Sequence, residues 1–319
     1  MTKDDRGVIH PELRGVARVA PRGTIPNTVA LKIMRRLTIM RRPRGDGVSI
    51  ERLDAAATMR IYRSANDVPA PALLWMHGGG YVMGRADLDD RLCRSFADAL
   101  GITVASVDYR LAPEHPYPAA VIDCHAAWNR LAHLPDVDPE RIAIGGLSAG
   151  AGLAAALALR LRDHDDSAPV LQLLAYPMLD DRSSAAPHPL ASRYRFWNQT
   201  SNRFSWRAYL AGADPAEAVP ARHEDLAGVA PAWIGVGSLD LFYEECVAYA
   251  QRLRAAGVTA ALEVISGAFH GFDAIAPKTS VAQSFFARQC LALDHAFRAA
   301  GPQSADSGAP SISSKGRAS

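Results

Sequence analysis

Cysteine and lysine are both scarce in this sequence of 319 residues, with four of each. The cysteines stand far apart and match no metal-ligand spacing, so we predict reduced, buried thiols and no metal site. Long apolar runs are also missing, which excludes a membrane-spanning helix of about 20 residues. The first residues carry charge where a secretory signal needs an apolar core, so we expect a cytoplasmic protein.

An excess of charge of one sign is missing too, because 35 Lys and Arg residues oppose 33 Asp and Glu residues for a net charge of +2. That balance predicts no nucleic-acid partner. With 49% hydrophobic and 21% charged residues, the composition is that of an ordinary globular protein. The chain is long enough to bury a large core.

Apolar runs of strand length alternate with helical patterns from residue 71 onward. Before them, residues 48–53 and 58–64 alternate apolar and polar side chains, which predicts an antiparallel pair of edge strands. The predicted buried strands are 72–76, 103–107, 141–145, 170–176, 232–236 and 260–265, and the predicted helices are 88–100, 119–134, 151–160, 242–256 and 281–299. This alternation predicts an α/β fold with a mostly parallel central sheet and helices on both faces.

The segments outside this alternation define the predicted domain organisation. Residues 1–45 form an N-terminal lead, poorly ordered to about residue 24, and a basic amphipathic helix at 27–42. That helix is either a solvated surface helix or a cap over an active site that touches lipid interfaces. Residues 46–300 form the main domain, interrupted by an irregular, aromatic-rich insertion at about 183–211. Residues 301–319, rich in Ser, Gly, Ala and Pro, form a disordered tail.

One serine lies between two glycines in the sequence Gly146-Leu147-Ser148-Ala149-Gly150. A predicted strand precedes it and an alanine-rich helix follows it, which is the context of a nucleophile elbow. A strained turn of this kind brings the strand and helix backbones together, so a Cβ atom at either glycine would clash. The motif is short, and its meaning therefore depends on partners elsewhere in the chain.

Those partners follow later strands. A serine nucleophile needs a base that takes its proton and a third group that orients the base. Asp240 follows the strand at 232–236, and His270 follows the last strand and precedes a glycine. Ser, acid, His is the chain order of α/β-hydrolases, so we predict Ser148, Asp240 and His270 as the catalytic residues. The neighbouring carboxylates of Glu244, Glu245 and Asp273 are the competing acids.

A glycine run, His77-Gly78-Gly79-Gly80-Tyr81, follows the first buried strand. Backbone N–H groups of such a loop approach a substrate carbonyl closely and stabilise the negative charge of a tetrahedral intermediate. We predict Gly78, Gly79 and Ala149 as the oxyanion-hole donors. His77 lies before the serine in the chain, and we expect it to order the loop.

Together these motifs resemble those of the bacterial hormone-sensitive-lipase-like (family IV) esterases of the α/β-hydrolase superfamily. The resemblance rests on the glycine run at 77–80, Asp-Tyr-Arg-Leu-Ala-Pro at 108–113, the elbow, Asp-Leu-Phe-Tyr-Glu-Glu at 240–245 and His-Gly-Phe at 270–272. It implies an α/β-hydrolase catalytic domain at 46–300, with a helical cap built from the N-terminal segment and the insertion. It also implies hydrolysis of short- to medium-chain carboxylic esters without a cofactor.

We expect six mostly aromatic residues to line the substrate pocket: Tyr81, Leu147, Phe196, Trp197, Phe204 and Trp206. Leu147 departs from the family pattern, which commonly has an acidic residue or threonine before the nucleophile. The departure makes the surroundings of Ser148 more apolar.

Other functions use the same residues. A serine hydrolase of amides, lactones or formyl groups would share every catalytic residue, and a ligand receptor can be built on the same fold. A receptor would typically have lost one of the three catalytic residues, and this chain keeps all of them. The expected partner is a small-molecule ester. The sequence leaves open a homodimer and a weak contact of the basic helix with lipid interfaces.

Overall fold

A computed structural model describes residues 8–39, 47–53, 57–63, 69–164, 167–185 and 191–301. Its strands are β1 (Ser49–Arg52), β2 (Thr58–Tyr62), β3 (Ala70–Met76), β4 (Thr103–Asp108), β5 (Val137–Leu147), β6 (Gln172–Ala175), β7 (Ala232–Gly237) and β8 (Ala260–Ile265). They form one sheet in the order β1-β2-β4-β3-β5-β6-β7-β8. β1 and β2 pair antiparallel, as do β2 and β4, and all other neighbours are parallel. The predicted α/β fold with a mostly parallel sheet is confirmed.

The helices of the described residues mostly connect these strands. They are α1 (Arg14–Val19), α2 (Thr28–Ile39), α3 (Asp90–Leu100), α4 (Ala119–Ala132), α5 (Ala149–His164), α6 (Gln199–Leu210), α7 (Pro215–Ala218), α8 (Tyr243–Ala255), α9 (Phe272–Ile275) and α10 (Ser280–Ala300). Successive side chains of a strand point to opposite faces of a sheet. In β3, Leu73, Leu74, Trp75 and Met76 are all 0% exposed, so helices cover both faces there.

The insertion contains regular structure that the sequence did not predict. Within it α6 spans twelve residues, and the side chain of Asn198 caps it by accepting a hydrogen bond from the backbone N–H of Ser201 (2.9 Å). The expectation of an irregular segment was wrong there. The helical period is hidden in the sequence, because the buried face of α6 includes the polar residues Ser201, Asn202 and Ser205. Positions 186–190 of the insertion lie outside the described residues.

The N-terminal segment also differs from expectation. A 3-10 turn at Pro11–Leu13 leads into α1, and Ile9, Leu13 and Ile25 are at most 2% exposed. The expectation of a poorly ordered lead is therefore wrong from residue 8 onward, because these apolar side chains join the core. The basic helix forms as α2, while the expected end at Arg42 and the expected tail at 302–319 lie outside the described residues.

The cysteines all lie on helices and carry free thiols. Cys93, Cys124 and Cys246 are buried, and Cys290 is half-buried. Among the described residues, no helix combines the length and the apolar character that a membrane crossing requires.

Candidate active site

The nucleophile elbow forms at the carboxyl end of β5. That strand ends at Leu147 and α5 begins at Ala149, so Ser148 alone makes the turn, with φ of 55°. This left-handed conformation is costly for a residue with a side chain. Two hydrogen bonds hold it: the Ser148 N–H donates to Ala175 O (2.9 Å), and Ser148 O accepts from Met178 N (3.0 Å).

The glycines on either side are required by space. A Cβ atom on Gly150 would lie 2.1 Å from the carbonyl oxygen of Met76 and 2.4 Å from that of His77. A Cβ atom on Gly146 would lie 2.5 Å from the same Met76 oxygen. The predicted clash at both positions is confirmed, and its partner is the end of β3.

Ser148, His270 and Asp240 form a continuous chain of hydrogen bonds. His270 Nε2 lies 3.0 Å from Ser148 Oγ, and His270 Nδ1 lies 2.8 Å from Asp240 Oδ2. The other carboxylate oxygen of Asp240 accepts from the backbone N–H of Phe242 (3.0 Å), which fixes the acid. The three residues are 4–8% exposed, so the site is largely shielded from water but open at one side. Gly271 follows with φ of 67°, a conformation that favours glycine.

The competing acids bond elsewhere. Glu244 is exposed on α8, and Glu245 Oε1 accepts from the backbone N–H of Leu179 (2.6 Å). Asp273 Oδ1 accepts from the hydroxyl of Tyr176 (2.8 Å). The only carboxylate bonded to His270 in the described chain is therefore that of Asp240.

The glycine run packs directly against the elbow. A Cβ atom on Gly78 would lie 3.6 Å from Ser148 Cβ, and a Cβ atom on Gly79 would lie 2.0 Å from Met83 O. Gly79 has φ of 125°, so both its conformation and its space demand glycine. Ala149, the third predicted donor, is the first residue of α5 and is fully buried. The loop and the helix N-terminus thus flank Ser148 from two sides.

His77 holds the glycine run in place through its contacts with Tyr109. Its ring stacks on Tyr109 with centroids 4.2 Å apart, and the Tyr109 hydroxyl donates to His77 O (2.7 Å). Burial lowers the pKa of His77, because the charged imidazole would lose its hydration. A neutral His77 bonded to Gly78 O suits a structural residue.

Tyr81 and Trp206, two of the predicted pocket residues, pack against each other. Their ring centroids are 5.2 Å apart, and Tyr81 also stacks on Tyr209 at 4.1 Å. The Tyr81 hydroxyl donates to Met178 O (3.0 Å), and both predicted residues are at most 3% exposed. These contacts join α6 of the insertion to the glycine run.

Three other predicted residues lie at different distances from the triad. Trp197 approaches it most closely, with its ring centroid 6.4 Å from that of His270, and a Cβ atom on Gly80 would lie 2.3 Å from the indole. Phe196 is half-buried with its ring 6.1 Å from Phe269, while Phe204 packs half-buried on the core.

The sixth predicted residue, Leu147, is half-buried and lines a cavity. From Leu147 we expected apolar surroundings. The cavity is instead mixed in character, because Asp89 and Asp273 also line it.

The family of the chain follows from comparison with known proteins. A family model described as alpha/beta hydrolase fold matches residues 73–274. The chain belongs to the α/β-hydrolase family. The match begins in β3 and includes the elbow, Asp240 and His270.

Similar proteins refine this assignment. Carboxylic ester hydrolase LipN of Mycobacterium tuberculosis is 38% identical over 226 residues, which are 67% of this chain and 60% of LipN. Esterase LipI of the same organism is 39% identical over 232 residues, which are 70% of this chain and 72% of LipI. The crystal structure of esterase LipW from Mycobacterium marinum superposes with a TM-score of 0.81 at 35% identity, covering 91% of this chain and 96% of that one. The resemblance to the hormone-sensitive-lipase-like esterases is confirmed.

In this α/β-hydrolase two aromatic residues around His270 were missed from the sequence. Tyr176 and Phe242 present ring edges to the imidazole at centroid distances of 4.9 Å and 5.1 Å. Tyr176 directly follows β6, at the sheet edge where the family builds its sites, so its position was a usable signal. Phe242 gave none, because its approach depends on the turn between β7 and α8.

Proposed function

We propose that the protein is a serine carboxylesterase that hydrolyses short- to medium-chain carboxylic esters through an acyl-enzyme at Ser148. The observation that carries this proposal is the hydrogen-bond chain from Asp240 through His270 to Ser148 Oγ, with distances of 2.8 Å and 3.0 Å, at a nucleophile elbow. Ester hydrolysis is also the activity in the printed names of LipN and LipI.

Acylation begins when Ser148 Oγ attacks the ester carbonyl. His270 Nε2 takes the serine proton, and Asp240 holds the ring through Nδ1 so that Nε2 is the free acceptor. The resulting imidazolium gives its proton to the leaving alcohol. Water, deprotonated by the same nitrogen, then attacks the acyl-enzyme, and the acid leaves while Ser148 recovers its proton.

Each tetrahedral intermediate carries an oxyanion, which the backbone N–H groups of Gly78, Gly79 and Ala149 stabilise. The position of these three residues, around Ser148 and at the N-terminal end of α5, supports this proposal. One such donor contributes about 2.7–4 kcal/mol to the transition state.

The insertion at about 183–211 and the segment 1–45 act as a cap over the rest of the α/β-hydrolase domain at 46–300. Two contacts support this division: the N–H of Phe196 donates to Pro21 O (2.7 Å), and Ser201 Oγ accepts from the N–H of Ile25 (3.1 Å). The cap places the Trp197 indole beside His270 and above Gly80. An aromatic wall so close to the nucleophile favours short and medium acyl chains, because longer chains would collide with it.

Amides, lactones and formyl substrates are the alternatives, since they use the same catalytic residues. A fluorophosphonate probe combined with p-nitrophenyl butyrate hydrolysis tests the proposal. The wild-type protein should label and hydrolyse the ester, and Ser148→Ala should do neither while keeping its fold. Ser284→Ala, an exposed serine on α10, is the matched control. Labelling that persists in Ser148→Ala, or activity near the wild-type level, would refute the assignment.

The protein is also proposed to be cytoplasmic and to touch lipid interfaces weakly through α2. Val29, Ile33 and Leu37 form a stripe that is 54–67% exposed, with exposed Lys32 and Arg36 beside it. Such a helix lies in the headgroup region of anionic lipid. Flotation with phosphatidylglycerol vesicles should capture the protein, and Ile33→Ser should weaken capture. A homodimer through the same stripe would show instead as a doubled mass in light scattering.

A further inference from the structure

A cavity of about 370 Å³ lies against the elbow, on the side of Leu147. Its apolar walls include Leu147 and Phe286 of α10, and its polar walls include Asp89, Asp273 and Gln289. The volume is in the range of small-molecule pockets. Leu147 directly precedes Ser148 in the chain, so the cavity adjoins the elbow at which the ester would react.

Asp89, Asp273 and Gln289 bring hydrogen-bond acceptors to this cavity. Gln289 is 2% exposed; its Nε2 donates to Phe285 O (3.3 Å), while its Oε1 has no partner among the described residues. A buried acceptor without a donor is unfavourable, so this oxygen calls for a donor from a ligand or water. Asp89 Oδ2 accepts from Trp75 Nε1 (2.9 Å), and the second acid is held by its tyrosine partner.

The acidic side chains that line the cavity outnumber the basic ones. Two carboxylates line it, and the only cationic side chain in its lining is the exposed Arg91. Burial, with the nearby acids Asp273, Asp90 and Asp87, raises the pKa of Asp89 to about 7. A bound cation would relieve this repulsion and donate to the acceptors at the same time.

We propose that this cavity is a specificity pocket that binds an ammonium group carried by the ester substrate. The inference rests on the carboxylesterase function proposed above and names its substrate class. Leu147 and Phe286 contact the methylene groups next to the nitrogen, while Asp89, Asp273 and Gln289 face the N–H donor. A substrate with a carboxylate in the same place is repelled.

Isosteric esters test the proposal. The first pair is 3-(dimethylamino)propyl butyrate and 4-methylpentyl butyrate, which differ by an N–H in place of a C–H. The second pair carries the same groups on the acyl side, as ethyl 4-(dimethylamino)butyrate and ethyl 5-methylhexanoate. For at least one pair, kcat/KM of the charged ester should exceed that of the neutral ester by about tenfold, the usual size of one charge-assisted contact.

Variants place the effect in the cavity. Asp89→Asn keeps an acceptor for Trp75 but removes one of the two carboxylates, and it should lower the charged-to-neutral ratio several-fold. Gln289→Met removes the unpaired acceptor at similar volume and should lower the ratio partly. Asp98→Asn, an exposed acid on α3, should keep the wild-type ratio. Equal kcat/KM within both pairs, or a preference of undiminished size in Asp89→Asn, would overturn the proposal.

The pH dependence adds a second readout. Both members of a pair use the same base, so its titration cancels in the ratio. The ratio should rise as pH increases through about 7, where Asp89 becomes charged. The other charged or titratable groups near this carboxylate are Asp87, Asp90, Asp273, Arg91, Cys93, Tyr109 and Tyr176. A ratio that is flat or falls across that range would contradict the role of Asp89.

A failure of the proposed function is distinguishable from a failure of this inference. Loss of the function would show as no hydrolysis of the neutral esters. In that case calorimetry with Ser148→Ala and 3-(dimethylamino)propyl butyrate still reports on the cavity. Binding of that ester no tighter than binding of 4-methylpentyl butyrate would overturn the inference alone.

Discussion

At the scale of single residues, the elbow leaves no room for a side chain at Gly150. We predict that Gly150→Ala loses at least about 100-fold in kcat/KM, because the new methyl group would meet the backbone oxygens of Met76 and His77 at 2.1 Å and 2.4 Å. These are backbone atoms, so neither can move without shifting the glycine run. Ester hydrolysis and near-UV circular dichroism measure the effect.

Gly15→Ala provides the control for that substitution. Its new methyl group would meet nothing within 4 Å, and it lies inside α1, where alanine is the better helix former. Activity close to wild type in Gly150→Ala would show that the elbow tolerates a wider separation of α5 from the end of β3.

A second residue-scale prediction concerns the buried acid Glu245. Burial raises its pKa well above the ordinary value of 4.5. Between pH 4.5 and this raised pKa, the folded protein keeps a proton that the unfolded chain has lost. The free energy of unfolding therefore falls as pH rises through that range. Glu245→Gln removes this titration and keeps an acceptor for the Leu179 N–H. We therefore expect the variant to gain stability over wild type at pH 8 by about 1 kcal/mol or more.

Urea unfolding at pH 5 and pH 8 checks this prediction. The gain should be smaller at pH 5, where more of the wild-type side chain is protonated in both states. Glu244→Gln, on the exposed face of the same helix, should change little at either pH. A loss of stability at pH 8 in Glu245→Gln would mean that the ionised form is the stable one in the folded protein.

At the scale of elements, Arg35 joins α2 to the loops that follow β3 and β4. Arg35 donates to the carbonyl oxygens of Val82 and Ala112, each at 2.7 Å, and pairs with Glu114. The pair with Glu114 is partly exposed and contributes little. Val82 and Ala112 are at most 1% exposed, so their carbonyl oxygens would lose a donor that water cannot readily replace.

We expect Arg35→Met to lower the free energy of unfolding by roughly 1–3 kcal/mol, the usual cost of buried polar groups left unpaired. It should also lower kcat/KM, because Val82 follows the glycine run at 78–80, which packs against Ser148. Thermal unfolding and p-nitrophenyl butyrate kinetics measure both effects. Arg36→Met, an exposed neighbour on the same helix, is the control. Equal melting temperatures for the two variants would show that α2 is held by its apolar contacts alone.

Elements whose pattern is local could be predicted from the sequence. β8 was predicted at its observed bounds, because a half-buried strand between turns has a clear period. β5 is longer than predicted, because Asp138, Pro139 and Glu140 show no strand pattern and this extension pairs with β3 only at Val137 and Ala70. α6 was missed because its buried face carries Ser201, Asn202 and Ser205 beside Trp206 and Tyr209. That face therefore lacks the continuous apolar stripe on which helix prediction depends.

The candidate site likewise has one part that the sequence predicts and another that depends on tertiary contacts. Ser148, Asp240 and His270 stand directly after strands, so their meeting follows from the topology of a parallel sheet. The acceptors of the cavity beside Leu147 come from α3, α9 and α10 and the turns before them. No motif joins these segments in the sequence, so their meeting depends on tertiary packing.

At the scale of the whole molecule, the N-terminal segment braces the histidine loop and the cap together. The N–H of His10 donates to Gly267 O (3.0 Å), three residues before His270, and Arg195 Nε donates to Ala17 O (2.9 Å). The carboxylate of Glu12 accepts from the N–H of Ser280 at the start of α10 (2.6 Å). A segment expected to be a loose lead thus connects three distant parts of the chain.

Leu13→Ala tests whether these contacts of the N-terminal segment stabilise the protein. Leu13 is 0% exposed, and removing such a side chain costs about 2–5 kcal/mol. That is a large share of the roughly 5–15 kcal/mol that stabilises a folded domain. Deletion of residues 1–42 should therefore destabilise the sheet itself and not only the cap. Denaturant unfolding of Leu13→Ala should show the loss, and ester hydrolysis should become heat-labile in parallel. Val19→Ala, 85% exposed on α1, should stay within about 0.5 kcal/mol of wild type. If the two variants unfold at the same denaturant concentration, the N-terminal segment rests on the domain without stabilising it.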